Sequence, residues 1–140
     1  MRDRLKGKVA IVTGAGSRGP GLGNGKAASI LFAREGARVL CVDQVLERAD
    51  ETVGLIRGEG GEAAAFAADV TRVAECAAMV GEAVKRWRGL DILHNKLRYM
   101  RRYDVPLVRG SVFALPIGDA TFDCVVCSQV IEHIPYDDQI

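Results

Sequence analysis

The chain has 140 residues, 49% hydrophobic and 26% charged, a composition that suits one compact domain with a real core and excludes disorder. Its 19 basic and 18 acidic residues leave a net charge of +1; no basic stripe is interleaved with aromatics, so no nucleic-acid partner is expected. Between the charged start and Thr13 lie only six apolar-rich positions, too few for a signal-peptide core or a membrane span, so no membrane partner and a cytoplasmic location are expected.

Lys8 to Thr13 is a short, β-branched apolar run that ends in glycines, as a buried parallel strand does. Lys26 to Glu35 is rich in Ala and Leu and is punctuated by Gly36, which predicts a first helix and its C-terminal turn. Arg38 to Asp43 is a second strand. Val45 to Arg57 carries apolar residues at 46, 49, 53 and 56, near helical spacing, and the cluster Gly58-Glu59-Gly60-Gly61 closes that helix. Ala63 to Ala68 is a third strand ending at Asp69-Val70, with Thr71 expected as the N-cap of a third helix. In that helix Val73, Cys76, Ala77, Val80, Val84 and Trp87 form the predicted buried stripe, with Glu75, Glu82, Lys85 and Arg86 opposite.

Leu90 to Leu93 is a fourth strand. After Asn95 the rhythm breaks, with a basic patch at Lys96, Arg98, Arg101 and Arg102 and prolines at 106, 116 and 135. A short helix from about Leu97 to Tyr103, a strand near Leu107 and Val108, and a strand from Phe122 to Cys127 leading into Gln129 to His133 are expected there. Strands alternating with helices of ten or more residues mean right-handed βαβ units. The predicted fold is α/β, a Rossmann-like three-layer arrangement with a mostly parallel sheet.

Between the first strand and the first helix stand Gly14, Gly16, Gly19, Gly21, Gly23 and Gly25, far more glycine than a turn needs. Such a loop lets backbone amides approach a pyrophosphate lying on a helix N-terminus, where the donors and the dipole favour an anion. Gly14-Ala15-Gly16-Ser17-Arg18-Gly19 is a literal G-x-G-x-x-G, and its place after a strand and before a helix gives the pattern its force. Asp43 ends the second strand, where a carboxylate can take the ribose hydroxyls of a dinucleotide and repel a 2′-phosphate. No Arg follows it directly, so NAD is expected and NADP less so. Cys124 and Cys127 match C-x-x-C, but inside a strand positions i and i+3 face opposite ways, so core cysteines are read there and no metal site is assigned.

Taken together, Val12-Thr13-Gly14-Ala15-Gly16-Ser17, Gly21-Leu22-Gly23, Asp43, Asp69-Val70 and Asp91-Ile92-Leu93-His94-Asn95 resemble the short-chain dehydrogenase/reductase family over about residues 5 to 95. The resemblance implies that Gly14, Ser17, Gly21, Leu22 and Gly23 hold the pyrophosphate and that Asp43 selects NAD. It also implies that Asp69 and Val70 face the adenine and that Asn95 supports the sheet beside the cofactor. The family's catalytic Tyr-x-x-x-Lys is absent: four residues after Tyr99, Tyr103 and Tyr136 come Tyr103, Leu107 and Ile140. Without that acid and its lysine, hydride transfer lacks a proton partner, and no catalytic residue is assigned.

From Val105 to Ile134, the runs Val105-Pro106-Leu107-Val108-Arg109-Gly110, Ala114-Leu115-Pro116, Asp119 to Val126 and Val130-Ile131-Glu132-His133-Ile134 resemble the middle of a class I S-adenosylmethionine-dependent methyltransferase. Ser111 and Val112 stand where that family commonly has an acid near the adenine, and His133 reads as a residue packing at a helix start. The chain therefore reads as two Rossmann-like pieces, 1–95 and 96–140, merged in one truncated or chimeric domain and joined near residue 96. The join is a gene fusion, a recombined or engineered chimera, or a frameshift or assembly fault. The expected function is an NAD-binding oxidoreductase-like protein without its catalytic residues. Two other readings stand beside it: a methyltransferase fragment binding S-adenosylmethionine, and a non-catalytic nucleotide-binding module whose sheet edge pairs with another copy in a homo-oligomer.

Overall fold

A computed structural model of the chain describes residues 3–95 and 124–125. In chain order the elements are β1 (Val9–Thr13), α1 (Asn24–Arg34), β2 (Arg38–Asp43), α2 (Leu46–Gly58), β3 (Glu62–Ala67), α3 (Val73–Trp87), β4 (Ile92–His94) and β5 (Cys124–Val125). The strands lie parallel in the order β3-β2-β1-β4-β5, with β1 and β2 in register from Val9 on Arg38 to Thr13 on Val42. The α/β architecture expected of the sequence is the one observed.

All five residues of β1 are buried, because helices cover the sheet on both sides and each alternate side chain meets a core. Ala10 and Val12, with Val39 and Cys41 of β2, pack with Ile30 and Ala33 of α1 and Ala49, Val53 and Ile56 of α2. Val9, Ile11, Leu40 and Val42 face the other way, onto Met79 and Ala83 of α3. Burial in that sheet pushes the Cys41 thiol up to about 11, against a hydrogen bond with Ser29 that lowers it, so this cysteine is an inert core residue.

Several boundaries and faces differ from expectation. Helix α1 starts two residues earlier, at Asn24, so its first turn is built from the glycine-rich stretch itself, with Gly23 as N-cap. The N-cap of α3 is Arg72, not Thr71; the Thr71 hydroxyl turns back to the end of β3, where it donates to Asp69 Oδ1 at 2.6 Å. Helix α3 buries Met79 and Ala83, with Cys76, Val80 and Trp87 packed beside them, and leaves Val73 and Val84 69% and 46% exposed. At 100° per residue the arc of residues 76, 79, 80, 83 and 87 is centred roughly 50° from the predicted stripe, toward residues 79 and 83. In α2, Leu46 is 43% exposed and the buried polar Thr52 completes the stripe of Ala49, Val53 and Ile56.

Strand β4 runs from Ile92 to His94, later than the predicted 90–93. Asp91 precedes it as an anchor, accepting the Val9 N–H at Oδ2 (2.8 Å) and the Lys8 ammonium at Oδ1 (3.3 Å). Of the strand predicted at 122–127, Cys124–Val125 pairs parallel with Ile92 and Leu93 and extends the sheet. The helix predicted at 97–103, the strand at 107–108, the basic patch, Cys127, His133 and the rest of the methyltransferase-like segment lie outside the described residues.

Candidate dinucleotide-binding site

The strand order places β1 between β2 and β4, with α1 leaving β1 toward one face of the sheet and α3 lying on the other. In an open parallel sheet the crevice at such a switch, beyond the carboxyl ends of the strands, is where a ligand fits. The carboxyl ends of β1, β2, β3 and β4 are followed or closed by Gly14, Asp43, Asp69 and Asn95. One edge of the sheet thus gathers the residues singled out in the sequence.

The loop from Gly14 to Gly23 is shaped by two requirements. Gly14 turns the chain out of β1 at φ +62°, in the left-handed region where glycine carries no Cβ penalty. Gly25, in the first turn of α1, lies against the backbone of β1's exit: a Cβ there would stand 2.1 Å from the Gly14 carbonyl oxygen. The helix N-terminus can come this close to the strand only because residue 25 has no side chain.

Across the tip of the loop, the Ser17 hydroxyl donates to the Gly21 carbonyl (2.9 Å) and accepts the Gly23 N–H (3.3 Å). That pair closes the Arg18-Gly19-Pro20 insertion into a small loop of its own. Leu22 stands at this tip, 67% exposed, an apolar side chain available to a ligand.

Asp43 is half-buried and turned toward the loop. Its Oδ2 accepts the Gly16 N–H at 3.1 Å and its Oδ1 accepts the Val45 N–H at 3.1 Å. The second lone pair on each oxygen remains for a further donor. The loop also sits directly on α2, where a Cβ on Gly16 would stand 2.4 Å from Arg48 Cβ.

Asp69 and Val70, both half-buried, follow β3 beside Asp43, tied there by the Ala68 N–H donating to the Asp43 carbonyl at 3.0 Å. The Asp69 carboxylate accepts both the Thr71 hydroxyl and the Thr71 N–H, and these two bonds hold its pKa below the ordinary carboxylate value of 3.8. A depressed folded-state pKa means a stabilising contribution that is present above 3.8 and lost as pH falls through the lower folded value. Asp69→Asn is therefore expected to lower the melting temperature by about 2 °C at pH 7, a small effect because solvent still screens the carboxylate. The gap should narrow as pH falls below 3.8 through the lower folded value; thermal melts in which it stays constant while the carboxyl protonates would contradict this.

Asn95 closes the other side of the crevice, its Oδ1 accepting the buried Thr13 hydroxyl at 2.6 Å. The ends of β1 and β4 are thereby fastened side by side. Thr13 and Thr52 are the polar residues that the sequence reading did not assign. Thr52, 0% exposed, donates its hydroxyl to the Ala15 carbonyl of the loop at 2.7 Å. The available signal was position: Thr52 falls at i+3 from Ala49 on the apolar face of α2, where a polar residue needs an internal partner.

A cavity of about 270 Å³ lined by Ala33, Arg34, Ile56, Glu59 and Gly61 lies at the far ends of α1 and α2, away from the glycine loop. Among the described residues no group of His, Cys, Asp and Glu side chains could hold a metal ion, and no helix is long and apolar enough to cross a membrane.

Comparison with known proteins agrees with this arrangement. A family model, short chain dehydrogenase, matches residues 8–97. An uncharacterized oxidoreductase of Thermotoga maritima is 44% identical over 91 residues, which are 65% of this chain and 34% of the relative. The chain spans about a third of the length of the curated relatives it matches. Among solved structures, a hydroxysteroid dehydrogenase from Escherichia coli superimposes with a TM-score of 0.60 at 38% identity, over 66% of this chain and 37% of that one. A 7α-hydroxysteroid dehydrogenase in complex with NADH gives the same score and identity, over 66% of this chain and 34% of that one. The methyltransferase resemblance after residue 104 falls beyond the residues the family model matches. Through residues 8–97 the chain belongs to the short chain dehydrogenase family.

Proposed function

We propose that the chain is the cofactor-binding part of an oxidoreductase and that it binds NAD(H) in preference to NADP(H). The observation that carries this reading is the Asp43 carboxylate, held by two backbone amides beside the glycine loop at the end of β2. Ribose hydroxyls can donate to its remaining lone pairs, whereas a 2′-phosphate would meet a like charge. When bound, NAD would supply hydride transfer. Gly14, Ser17, Gly21, Leu22 and Gly23 would bear on its pyrophosphate side, Asp69 and Val70 on the adenine, and Asn95 would keep β4 in place beside it.

The 140 residues hold no Tyr-x-x-x-Lys, so this chain by itself should bind NADH without turning it over. The parallel pairing of β5 on β4 favours residues 1–140 acting as one domain, with 1–95 as the cofactor part. Fluorescence titrations of the full chain with NADH and NADPH, and calorimetric titration with S-adenosylmethionine, test the proposal. Saturable NADH binding that is tighter than NADPH binding is the expected result; preference for NADPH or for S-adenosylmethionine would overturn it.

A further inference from the structure

We propose that Thr52 is a positioning residue that orients the Asp43 carboxylate through one peptide unit of the glycine loop, and so helps set the preference between NADH and NADPH. This rests on the dinucleotide reading above.

The Thr52 hydroxyl has a single proton to give. The Ala15 carbonyl lies 2.7 Å away and the Arg48 carbonyl of its own helix 3.4 Å away, so the proton goes to the loop. The Ala15 oxygen belongs to the same planar peptide as the Gly16 N–H, and that N–H is the group donated to Asp43 Oδ2 at 3.1 Å. In a trans peptide the carbonyl and the N–H point in opposite directions and turn together. Holding the oxygen toward α2 therefore keeps the N–H directed at Asp43.

The other degrees of freedom at this point are already fixed. The Ala15 N–H donates to the Val42 carbonyl at 3.0 Å, which pins the loop to β2. Gly16 cannot move closer to α2 or to the carboxylate, because its α-carbon already lies where a Cβ would meet Arg48 Cβ and Asp43 Oδ2. On the carboxylate, Val45 N–H holds Oδ1 and Gly16 N–H holds Oδ2. With one amide lost, the terminal torsion of an aspartate is broad, and the oxygens no longer stand ready for two ribose hydroxyls. A buried hydroxyl on α2 thus acts on the ribose side of the crevice without touching it.

Thr52→Val keeps the β-branched shape and removes the donor. In the full chain it should weaken NADH binding about five- to tenfold, the value of one hydrogen bond acting through geometry. NADPH binding should change less, so the preference between the two narrows, and Thr52→Ser should restore both. A residue that only stabilised the fold would lower the melting temperature and leave the NADH-to-NADPH ratio where it was, and an unchanged ratio in a folded Thr52→Val chain would overturn the proposal.

Amide hydrogen exchange of the cofactor-free chain supplies a test independent of binding. In the wild type, Gly16 N–H should exchange more slowly than Gly19 N–H, which makes no hydrogen bond among the described residues, and Thr52→Val should remove that difference. Equal exchange at Gly16 and Gly19 in the wild type would overturn the proposal even if the variant does not fold. If the wild type binds no dinucleotide, the function proposed above fails. Gly16 protection that Thr52→Val or Thr52→Ala removes then supports the tether alone, and protection that survives overturns it.

Discussion

Gly25→Val is expected to unfold most of the chain at temperatures where the wild type is native. The added Cβ would meet the Gly14 oxygen at 2.1 Å, the Gly14 carbonyl carbon at 2.7 Å and the Thr13 oxygen at 3.1 Å, all of them backbone. Overpacking among side chains costs about 1–3 kcal/mol because rotamers give way. Here no rotamer can yield: the exit of β1 is held by the Ala15 and Gly16 contacts, and α1 is anchored by Ile30 and Ala33 in the core.

A cost above about 4 kcal/mol is expected, against a total stability of about 5–15 kcal/mol, which lowers the melting temperature by more than about 15 °C. Gly54→Ala in α2 is the matched control, since nothing lies within 4 Å of a Cβ there; it should be neutral or stabilising by up to about 1 kcal/mol through helix propensity. Circular-dichroism melts of the two variants decide the point. A Gly25→Val chain that melts with the wild type would show that α1 does not approach β1 this closely.

Asp43→Ala is the second large effect and the one aimed at the ligand. It removes the acceptors for the ribose hydroxyls and releases the Gly16 and Val45 amides together. Hydrogen bonds to a charged group are worth about 1.5–3 kcal/mol each. Loss of even one means at least about a tenfold weaker NADH complex. NADPH should bind the variant better than it binds the wild type, because the repulsion between the carboxylate and the 2′-phosphate is gone. Paired titrations read both changes, and an unchanged NADH affinity would mean that Asp43 serves only the loop.

The parts of this arrangement that sequence made legible are those written in strong local signals. Glycine density after a β-branched run marked the loop, and an acid closing the next such run marked Asp43; both lie where expected, at the ends of β1 and β2. The helices α1, α2 and α3 were legible from period and, for the first two, from the glycines that close them. The face of α3 was not, because Val73, Ala77 and Val84 are as apolar as Met79 and Ala83, and an arc this broad has no unique centre until the sheet chooses one.

Contacts between elements were illegible for a different reason. Nothing local to Thr52 says that its hydroxyl finds Ala15, 37 positions away, nor that the Thr71 hydroxyl turns back to Asp69 instead of capping α3. Gly16 belongs to the G-x-G-x-x-G pattern, yet its N–H is committed to Asp43. The pattern located the loop but could not say which of its amides remain for a ligand.

The most direct measurement of the central claim is a two-dimensional ¹H–¹⁵N spectrum of the full chain recorded with increasing NAD⁺. Saturating shifts at Gly14 to Gly23, Val42 to Val45, Asp69, Val70 and Asn95, with none at Ala33, Arg34, Glu59 or Gly61, are the predicted result. Shifts confined to the distal cavity between α1 and α2, or no shifts from a folded chain, would contradict the assignment of this edge of the sheet to a dinucleotide.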